Sequence, residues 1–133
     1  MDPPETGNEG FGRLIGIEHG DYDPDAASAR LAITPDHLQP FGIVHGGVLA
    51  ALGETVASAA TYAAVADEGM LAVSQSNHTT FMRPFTEGHV NAHARTRHRG
   101  RTTWIWDVEL SDDQGRLCAL VRMTIAVRPR PDA

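Results

Sequence analysis

The sequence contains one cysteine, no lysine and no long uninterrupted hydrophobic run. The single cysteine, Cys118, excludes an intrachain disulfide and a zinc site built from cysteines alone. No stretch approaches the ~18 uninterrupted apolar residues of a membrane-spanning helix. The first ten residues are acidic and polar, and they lack the basic and apolar segments of a secretory signal. We therefore expect a protein of the cytoplasm.

The composition is that of an ordinary globular protein, with 133 residues of which 41% are hydrophobic and 21% charged. A chain of this length buries about two thirds of the surface that its unfolded form exposes, so it can form a stable core. We predict a flexible N-terminal tail over residues 1–10 and a single domain over residues 11–130.

All side-chain positive charge, histidine aside, is carried by arginine and is concentrated in the second part of the chain. Residues 1–82 have a net charge of −9 and residues 83–133 a net charge of +3, which gives −6 overall. A guanidinium group binds phosphate through two parallel hydrogen bonds, so a phosphate-bearing ligand would suit this region. The alternative explanation for the missing lysines is the codon usage of the source genome. The overall negative charge argues against nucleic-acid binding. The densest group, here called the arginine cluster, consists of Arg95, Arg97, His98, Arg99 and Arg101.

One long helix is predicted from Gly46 to about Ala66. It is apolar around nearly its whole circumference and built from small side chains, so we expect neighbours on most of its sides. Ahead of it we predict strands at 11–19 and 29–34, with a turn at 20–25 and a proline-bounded loop at 35–42.

The chain from Leu71 onward has the character of β-structure. Alternating polar and apolar residues predict three long strands, at 88–98, 102–110 and 116–127. Asp112–Gly115 is typical of a hairpin turn. The fold class we predict is α+β, with an antiparallel sheet wrapped on the central helix.

The helix opens with Val44-His45-Gly46-Gly47, which is typical of an anion-binding end. The first amides of a helix have no partner within it, and the helix dipole makes this end positive. Because glycines let a ligand approach the bare backbone, the pattern suits an oxyanion hole. A junction that needs glycine only for packing is the alternative.

Glu54 lies in the middle of this apolar helix, where a buried carboxylate is unfavourable unless it is paired or used. We expect burial to raise its pKa, as is common for functional carboxylates. Ser58 is one turn further on the same face. The alternative is a structural glutamate that hydrogen-bonds Ser58 or a partner subunit.

Other polar residues carry weaker signals. His89 and His93 share a strand face, but no third metal ligand has suitable spacing, so we predict no metal site and treat them as solvated histidines. Cys118 has no nearby motif and is interpreted as a packing residue. The turn from His98 to Thr103 is rich in donors and suits a phosphate, although it could be an ordinary basic hairpin.

Together these residues resemble the hotdog-fold acyl-CoA thioesterases, over roughly residues 30–130. The first motif runs from Gln39 through Val44-His45-Gly46-Gly47 to Glu54 and Ser58. A closer resemblance is to the Glu-type 4-hydroxybenzoyl-CoA thioesterase. It rests on Ala72-Val73, Gln75-Ser76-Asn77-His78-Thr79, Arg83-Pro84, Glu87-Gly88-His89-Val90, Thr102-Thr103-Trp104, Trp106-Asp107-Val108, Gly115-Arg116-Leu117-Cys118-Ala119 and Ile125-Ala126-Val127-Arg128-Pro129.

The resemblance implies a hotdog fold whose subunits pair sheet edge to edge into dimers and then a tetramer, with the active site at the dimer interface. It implies that Glu54 attacks the thioester carbonyl or activates water, and that the Gly46 amide polarises the carbonyl oxygen. The resemblance also implies that Gln39 and Ser58 line the reacting centre, that His45 has an orienting role, and that Gly47 opens the helix to the substrate. For the CoA nucleotide it implies a binding region formed by Arg83, Thr102 and Arg128, with Arg101 beside them.

The function that these residues indicate is hydrolysis of an aryl-CoA, most specifically 4-hydroxybenzoyl-CoA, as in aromatic degradation. CoA would be part of the substrate, and we expect no separate cofactor. One alternative is a thioesterase for phenylacetyl, dihydroxynaphthoyl or carrier-bound acyl groups. Another is an acyl-CoA-binding hotdog domain without catalysis. A hydratase is disfavoured, because we cannot place the paired histidine and acid that such chemistry needs on this fold.

Overall fold

The computed structural model describes residues 10–131, so the predicted tail over 1–10 lies outside the described residues except for Gly10. Two helices and six strands follow one another, with one-turn 3-10 helices at Pro35–His37 and Ala66–Glu68. In chain order the elements are α1 (Gly10–Ile15), β1 (Ile17–Tyr22), β2 (Ala26–Ala32), α2 (Gly46–Val65), β3 (Met70–Phe81), β4 (His89–Arg99), β5 (Thr103–Ser111) and β6 (Leu117–Pro129).

The six strands form one antiparallel sheet in the order β1-β2-β4-β5-β6-β3, and α2 packs on one face of it. Gly53 lets the helix approach β6 closely, because a Cβ at this position would lie 2.8 Å from Val121 side-chain atoms. The buried side of the helix is formed by Leu49, Leu52, Gly53, Val56, Ala57, Ala60, Thr61 and Val65. This side and the inner face of the sheet form the hydrophobic core.

The predicted helix is confirmed almost to the residue, but the burial expected on most of its sides is wrong. Gly47, Glu54 and Ala63 are exposed, because one sheet covers only one side of the helix. By length and composition alone, Gly46–Glu68 could cross a membrane. Since its larger apolar side chains pack into the core, we interpret it as the core helix of the domain.

Two sequence-based strand predictions need correction. Residues 11–19 do not form one strand, because α1 ends at Ile15 and β1 begins at Ile17. Between them Gly16 has a φ of 83°, a left-handed conformation that glycine favours. Four strands follow α2 rather than three, since β3 is a long strand that pairs with β6 at the edge of the sheet. The meander of β4, β5 and β6 is confirmed.

A buried hydrogen-bonded chain fastens α2 to the sheet. The Trp106 indole N–H donates to Thr61 Oγ1 at 2.8 Å, and the Thr61 hydroxyl donates to the carbonyl oxygen of Ala57 at 2.8 Å. Trp106 and Thr61 are completely buried. The hydroxyl is therefore the group that satisfies the indole N–H inside the core.

Thr61→Val is expected to lower the free energy of unfolding by about 1–3 kcal/mol, because it leaves the buried indole N–H without its acceptor. Urea unfolding measures the change. In a Trp106→Phe background the same substitution should have a smaller effect, because the donor is gone. Equal losses in the two backgrounds would show that the hydrogen bond contributes nothing.

Candidate active site

A closed loop leads into the first turn of α2. Within it the backbone N–H of Gln39 donates to the Ile43 carbonyl oxygen at 2.7 Å, and the backbone N–H of Gly42 donates to the backbone carbonyl oxygen of Gln39 at 2.9 Å. Gly42 has a φ of 87°, which a residue with a side chain would adopt only with strain. Leu38 and Val44 pair as an isolated antiparallel bridge. The loop therefore fixes the backbone of Gln39, which is half-buried and lies in the segment that leads to the start of α2.

The first turn of α2 presents bare backbone on one side. Exposed His45 caps the helix with an extended backbone (ψ 135°), and Gly46 is the first helical residue. The Phe81 ring covers Gly46, because a Cβ there would lie 2.7 Å from its ζ carbon. Among residues 10–131, no atom other than those of its chain neighbours and its own helix backbone lies within 4 Å of a Cβ built on Gly47. The positive end of the helix is thus open beside Gly47.

Glu54 is exposed, so the burial expected from its sequence context is wrong for the single chain. It lies on a side of α2 that the sheet does not cover. Ser58 is half-buried, and its Oγ lies 2.7 Å from Ser74 Oγ on β3. Ser58 therefore hydrogen-bonds to Ser74, whereas the structural alternative that we considered paired it with Glu54.

Three residues of β3 lie beside the first turns of α2, and the sequence analysis did not include them among the candidate site residues. Asn77 Nδ2 donates to the Ala50 carbonyl oxygen at 3.0 Å, and the Thr79 hydroxyl donates to Asn77 Oδ1 at 2.7 Å. Phe81, in the same alternation, covers Gly46. The period-two spacing of these residues was the available signal, but it has meaning only once β3 is placed beside α2.

The distance along the helix separates the two main catalytic candidates. Glu54 lies two turns beyond Gly46, which is about 12 Å along the axis. A glutamate side chain reaches roughly 5 Å from its Cα. A carbonyl oxygen bound at the Gly46 amide would therefore be out of reach of Glu54 in the same chain.

The predicted CoA-binding residues fall at both ends of α2. Arg83 is exposed just beyond Phe81, at the end where the helix begins. Arg128 lies at the other end, where its Nη1 donates to the Thr102 carbonyl oxygen at 2.7 Å. The 20-residue helix separates these two ends by about 30 Å. One chain therefore does not bring all of these residues together.

An open cavity of about 390 Å³ lies at the C-terminal end of α2. Its lining includes Arg101 of the β4–β5 turn and Arg99 of the arginine cluster. Arg99 also lies 5.6 Å from the ring centroid of Trp104, as a cation–π pair. Basic and aromatic groups at one cavity suit a phosphorylated aromatic group such as a nucleotide.

Part of the arginine cluster is bound to carboxylates of the same chain. Arg122 forms two hydrogen bonds with Asp107, of 2.7 and 2.9 Å, and Arg97 lies 3.4 Å from the same carboxylate. The hydrogen bonds from Arg122 contribute most to holding the pKa of Asp107 below its usual value. Arg99 lies 3.6 Å from Asp25. Arg97 and Arg99 thus have carboxylate partners within the chain, and Arg101 lies at the turn beside the cavity.

Two of the remaining candidates, His89 and Cys118, have structural partners. His89 Nδ1 lies 3.0 Å from Asp113, and His93 is exposed. Within residues 10–131 no group of three or more His, Cys, Asp or Glu side chains is placed to hold a metal ion. The Cys118 thiol is buried and donates to the Arg116 carbonyl oxygen at 3.3 Å, and burial raises its pKa. It has the surroundings of a packing residue rather than of a nucleophile.

Comparisons with known proteins define the class. Residues 41–119 match the family model of the thioesterase superfamily, and the chain belongs to this superfamily. It is 34% identical to the proofreading thioesterase EntH of Cronobacter turicensis over 113 residues, which cover 85% of this chain and 82% of EntH.

Solved structures agree with this assignment. A mutant of thioesterase PA1618 from Pseudomonas aeruginosa superimposes with a TM-score of 0.86 at 34% identity, covering 90% of this chain and 86% of that one. Thioesterase HI1161 from Haemophilus influenzae gives a TM-score of 0.81 at 31% identity, covering 86% and 80%. The α+β architecture is the hotdog fold, the protein is a thioesterase, and acyl-CoA thioesters are the substrate class that its family supports.

Proposed function

We propose that this thioesterase hydrolyses an aryl-CoA, 4-hydroxybenzoyl-CoA or a near relative, to the free acid and CoA in the cytoplasm. The observation that supports thioester hydrolysis is α2 itself, whose positive end is open beside Gly47 and which carries Glu54 on its uncovered side. The choice of an aryl group rests on the resemblance of the sequence to the 4-hydroxybenzoyl-CoA thioesterase. CoA is part of the substrate, and the proposed reaction uses no separate cofactor.

The Gly46 amide is the proposed donor to the thioester carbonyl oxygen. Negative charge develops on this oxygen when the carbonyl carbon is attacked, and a fixed amide at the end of a helix stabilises it without having to reorient. The opening beside Gly47 gives the substrate access, and Gln39 and His45 lie in the adjoining loop.

Glu54 is the proposed nucleophile or general base. As a nucleophile, its carboxylate forms a bond to the carbonyl carbon, the C–S bond breaks, and CoA leaves as a thiolate. Water then cleaves the mixed anhydride and restores the carboxylate. As a general base, Glu54 takes a proton from water while the water oxygen forms a bond to the carbonyl carbon. The C–S bond then breaks, CoA leaves as a thiolate, and Glu54 returns the proton. Ser58, one turn away, supplies a hydroxyl to orient that water.

The site is proposed to combine residues of two chains. Glu54 cannot reach a carbonyl at Gly46 of its own chain, so Glu54 of the partner subunit must supply the carboxylate. β3 is a 12-residue edge strand that leaves Val73 53% exposed and Phe81 56% exposed. An unprotected edge of this length is suited to pairing with a second copy. We propose a dimer joined through β3, with dimers associating into a tetramer.

Mixing two inactive variants tests the two-chain site. Glu54→Ala and Gly46→Pro, refolded together, should recover about a quarter of wild-type activity, because half of the randomly formed dimers are hybrids with one intact site of two. Each variant refolded alone is the control. If both residues act within one chain, no hybrid contains an intact site and activity stays at the level of the parents.

The substrate is tested by thiol release, read with a disulfide reagent, from 4-hydroxybenzoyl-CoA, benzoyl-CoA, phenylacetyl-CoA and a fatty acyl-CoA. The proposal expects the hydroxybenzoyl ester to lead by ~100-fold in kcat/KM, which is about 2.7 kcal/mol. CoA binding without turnover of any thioester would instead indicate a binding domain.

A proofreading role is the second candidate, favoured by the name of the relative EntH. It predicts similar turnover of all four esters, and faster turnover of the same acyl groups on a carrier protein. Equal rates would retain the thioesterase assignment and overturn the aryl preference.

A further inference from the structure

His37 is a buried histidine that the proposed reaction leaves unused. Only 6% of its surface is exposed, and it comes two residues before Gln39. One of its ring nitrogens contacts the N-terminal part of the chain, at the Ile15 carbonyl oxygen.

The two ring nitrogens of His37 have partners of opposite kinds. Nδ1 lies 2.9 Å from the Thr34 backbone nitrogen, which can only donate, so Nδ1 accepts. Nε2 lies 2.7 Å from the Ile15 carbonyl oxygen, which can only accept, so Nε2 carries the proton. These partners make Nδ1 the acceptor and Nε2 the donor of the ring.

The Ile15 carbonyl ends α1 and therefore has no partner within that helix. His37 supplies the missing donor and so fastens the end of α1 to the segment that follows β2. This is a contact between parts of the chain that are distant in sequence.

The backbone of His37 passes this constraint to the helix start. Its carbonyl oxygen accepts the His45 amide at 2.9 Å, and His45 immediately precedes Gly46. The far side of the loop has its own support, since the Val44 amide donates to the Phe85 carbonyl oxygen at 2.9 Å. The His37 ring is thus one of several contacts that hold this segment, and its removal should shift the loop rather than unfold the domain.

We propose that His37 is a positioning residue that aims the Gly46 amide and holds Gln39, by anchoring the loop to the end of α1. The catalytic consequence rests on the proposed role of Gly46 as the oxyanion donor. A displacement of about 1 Å at a reacting centre can lower the rate by up to ~100-fold, so a loop anchor is sufficient to affect turnover.

Three substitutions separate the two ring contacts. Asn places an acceptor near the position of Nδ1 but has no group at Nε2, whereas Gln places a donor near Nε2. Ala removes both. His37→Ala and His37→Asn should lower kcat on the best thioester by ~10–100-fold and change KM by less than about threefold. His37→Gln should recover most of the activity that His37→Ala loses.

The amide resonances of Gly46 and Gly47 provide a readout without substrate. They should move in His37→Ala and His37→Asn and return toward wild-type positions in His37→Gln. Unmoved resonances, or a kcat loss that Gln does not rescue, would overturn the proposal. If His37→Ala does not fold, the Gln and Asn variants alone decide it. If the wild type hydrolyses no thioester, the proposed function fails, and the resonances still test the positioning role.

Discussion

Glu54→Ala is expected to lower kcat by about 1000-fold or more, while the affinity for CoA changes by less than about threefold. A positioned carboxylate contributes about 10²–10⁴-fold as a general base, and removal of a nucleophile has an effect at least as large. The arginines proposed to hold CoA are separate residues and remain in place. Thiol release measures the turnover, and calorimetric titration with CoA measures the affinity.

Glu54→Gln is the matched control, because it keeps the size of the side chain and removes only the charge. It should be as inactive as Glu54→Ala. Since Glu54 is exposed in the single chain, both variants should unfold within about 0.5 kcal/mol of the wild type, apart from any effect at the dimer interface. A variant whose CoA affinity fell as sharply as its turnover would show that Glu54 binds substrate rather than reacting with it.

The sequence was sufficient to predict the parts of the fold that follow local rules. The first residue of α2 follows from the glycines at 46 and 47, and the helix interior from an unbroken run of small apolar residues. Strand β5, the first part of β4 and the middle of β6 alternate between buried and more exposed residues, because one face of each packs on the helix. The turn at Asp112–Gly115 is fixed by local hydrogen bonds to Asp112. These features depend on neighbours in sequence.

The remaining features depend on contacts between distant residues. β3 was not recognised as a separate strand, because both of its faces are largely exposed and its alternation is weak. Its position next to β6 is a long-range pairing that no local pattern encodes. The anchoring of His37 to Ile15 is of the same kind, since 22 positions separate them in the chain.

The exposure of Glu54 could not be predicted for a related reason. Alanine is tolerated equally well in the core and at the surface, so an alanine-rich helix does not reveal how many of its sides one chain covers. The same ambiguity concealed the division of the site residues between the two ends of α2. In the dimer that we propose, a second copy covers the side of the helix that carries Glu54.

Gly46→Pro is expected to lower kcat by about 10²–10³-fold, because it removes the amide proposed to stabilise the oxyanion. Proline suits the first position of a helix, where the missing N–H breaks no helical hydrogen bond. The preceding His45 already has the extended backbone that proline requires of its neighbour, with φ −56° and ψ 135°. The helix should therefore form normally, and the unchanged far-ultraviolet circular dichroism would verify this.

Gly46→Ala separates the lost donor from the added bulk. Its Cβ meets the same Phe81 ring as that of proline, at 2.7 Å before any adjustment, but it keeps the N–H. The further decrease in kcat from Gly46→Ala to Gly46→Pro therefore measures the contribution of the Gly46 N–H, and we expect this further decrease to be at least tenfold. Equal losses would mean that the contact with Phe81, rather than the hydrogen bond, governs turnover. The substitution Phe81→Leu relieves this contact and distinguishes the two explanations. If the contact governs turnover, Phe81→Leu should restore the activity of both variants. If the Gly46 N–H is the donor, Gly46→Pro should remain inactive in the Phe81→Leu background.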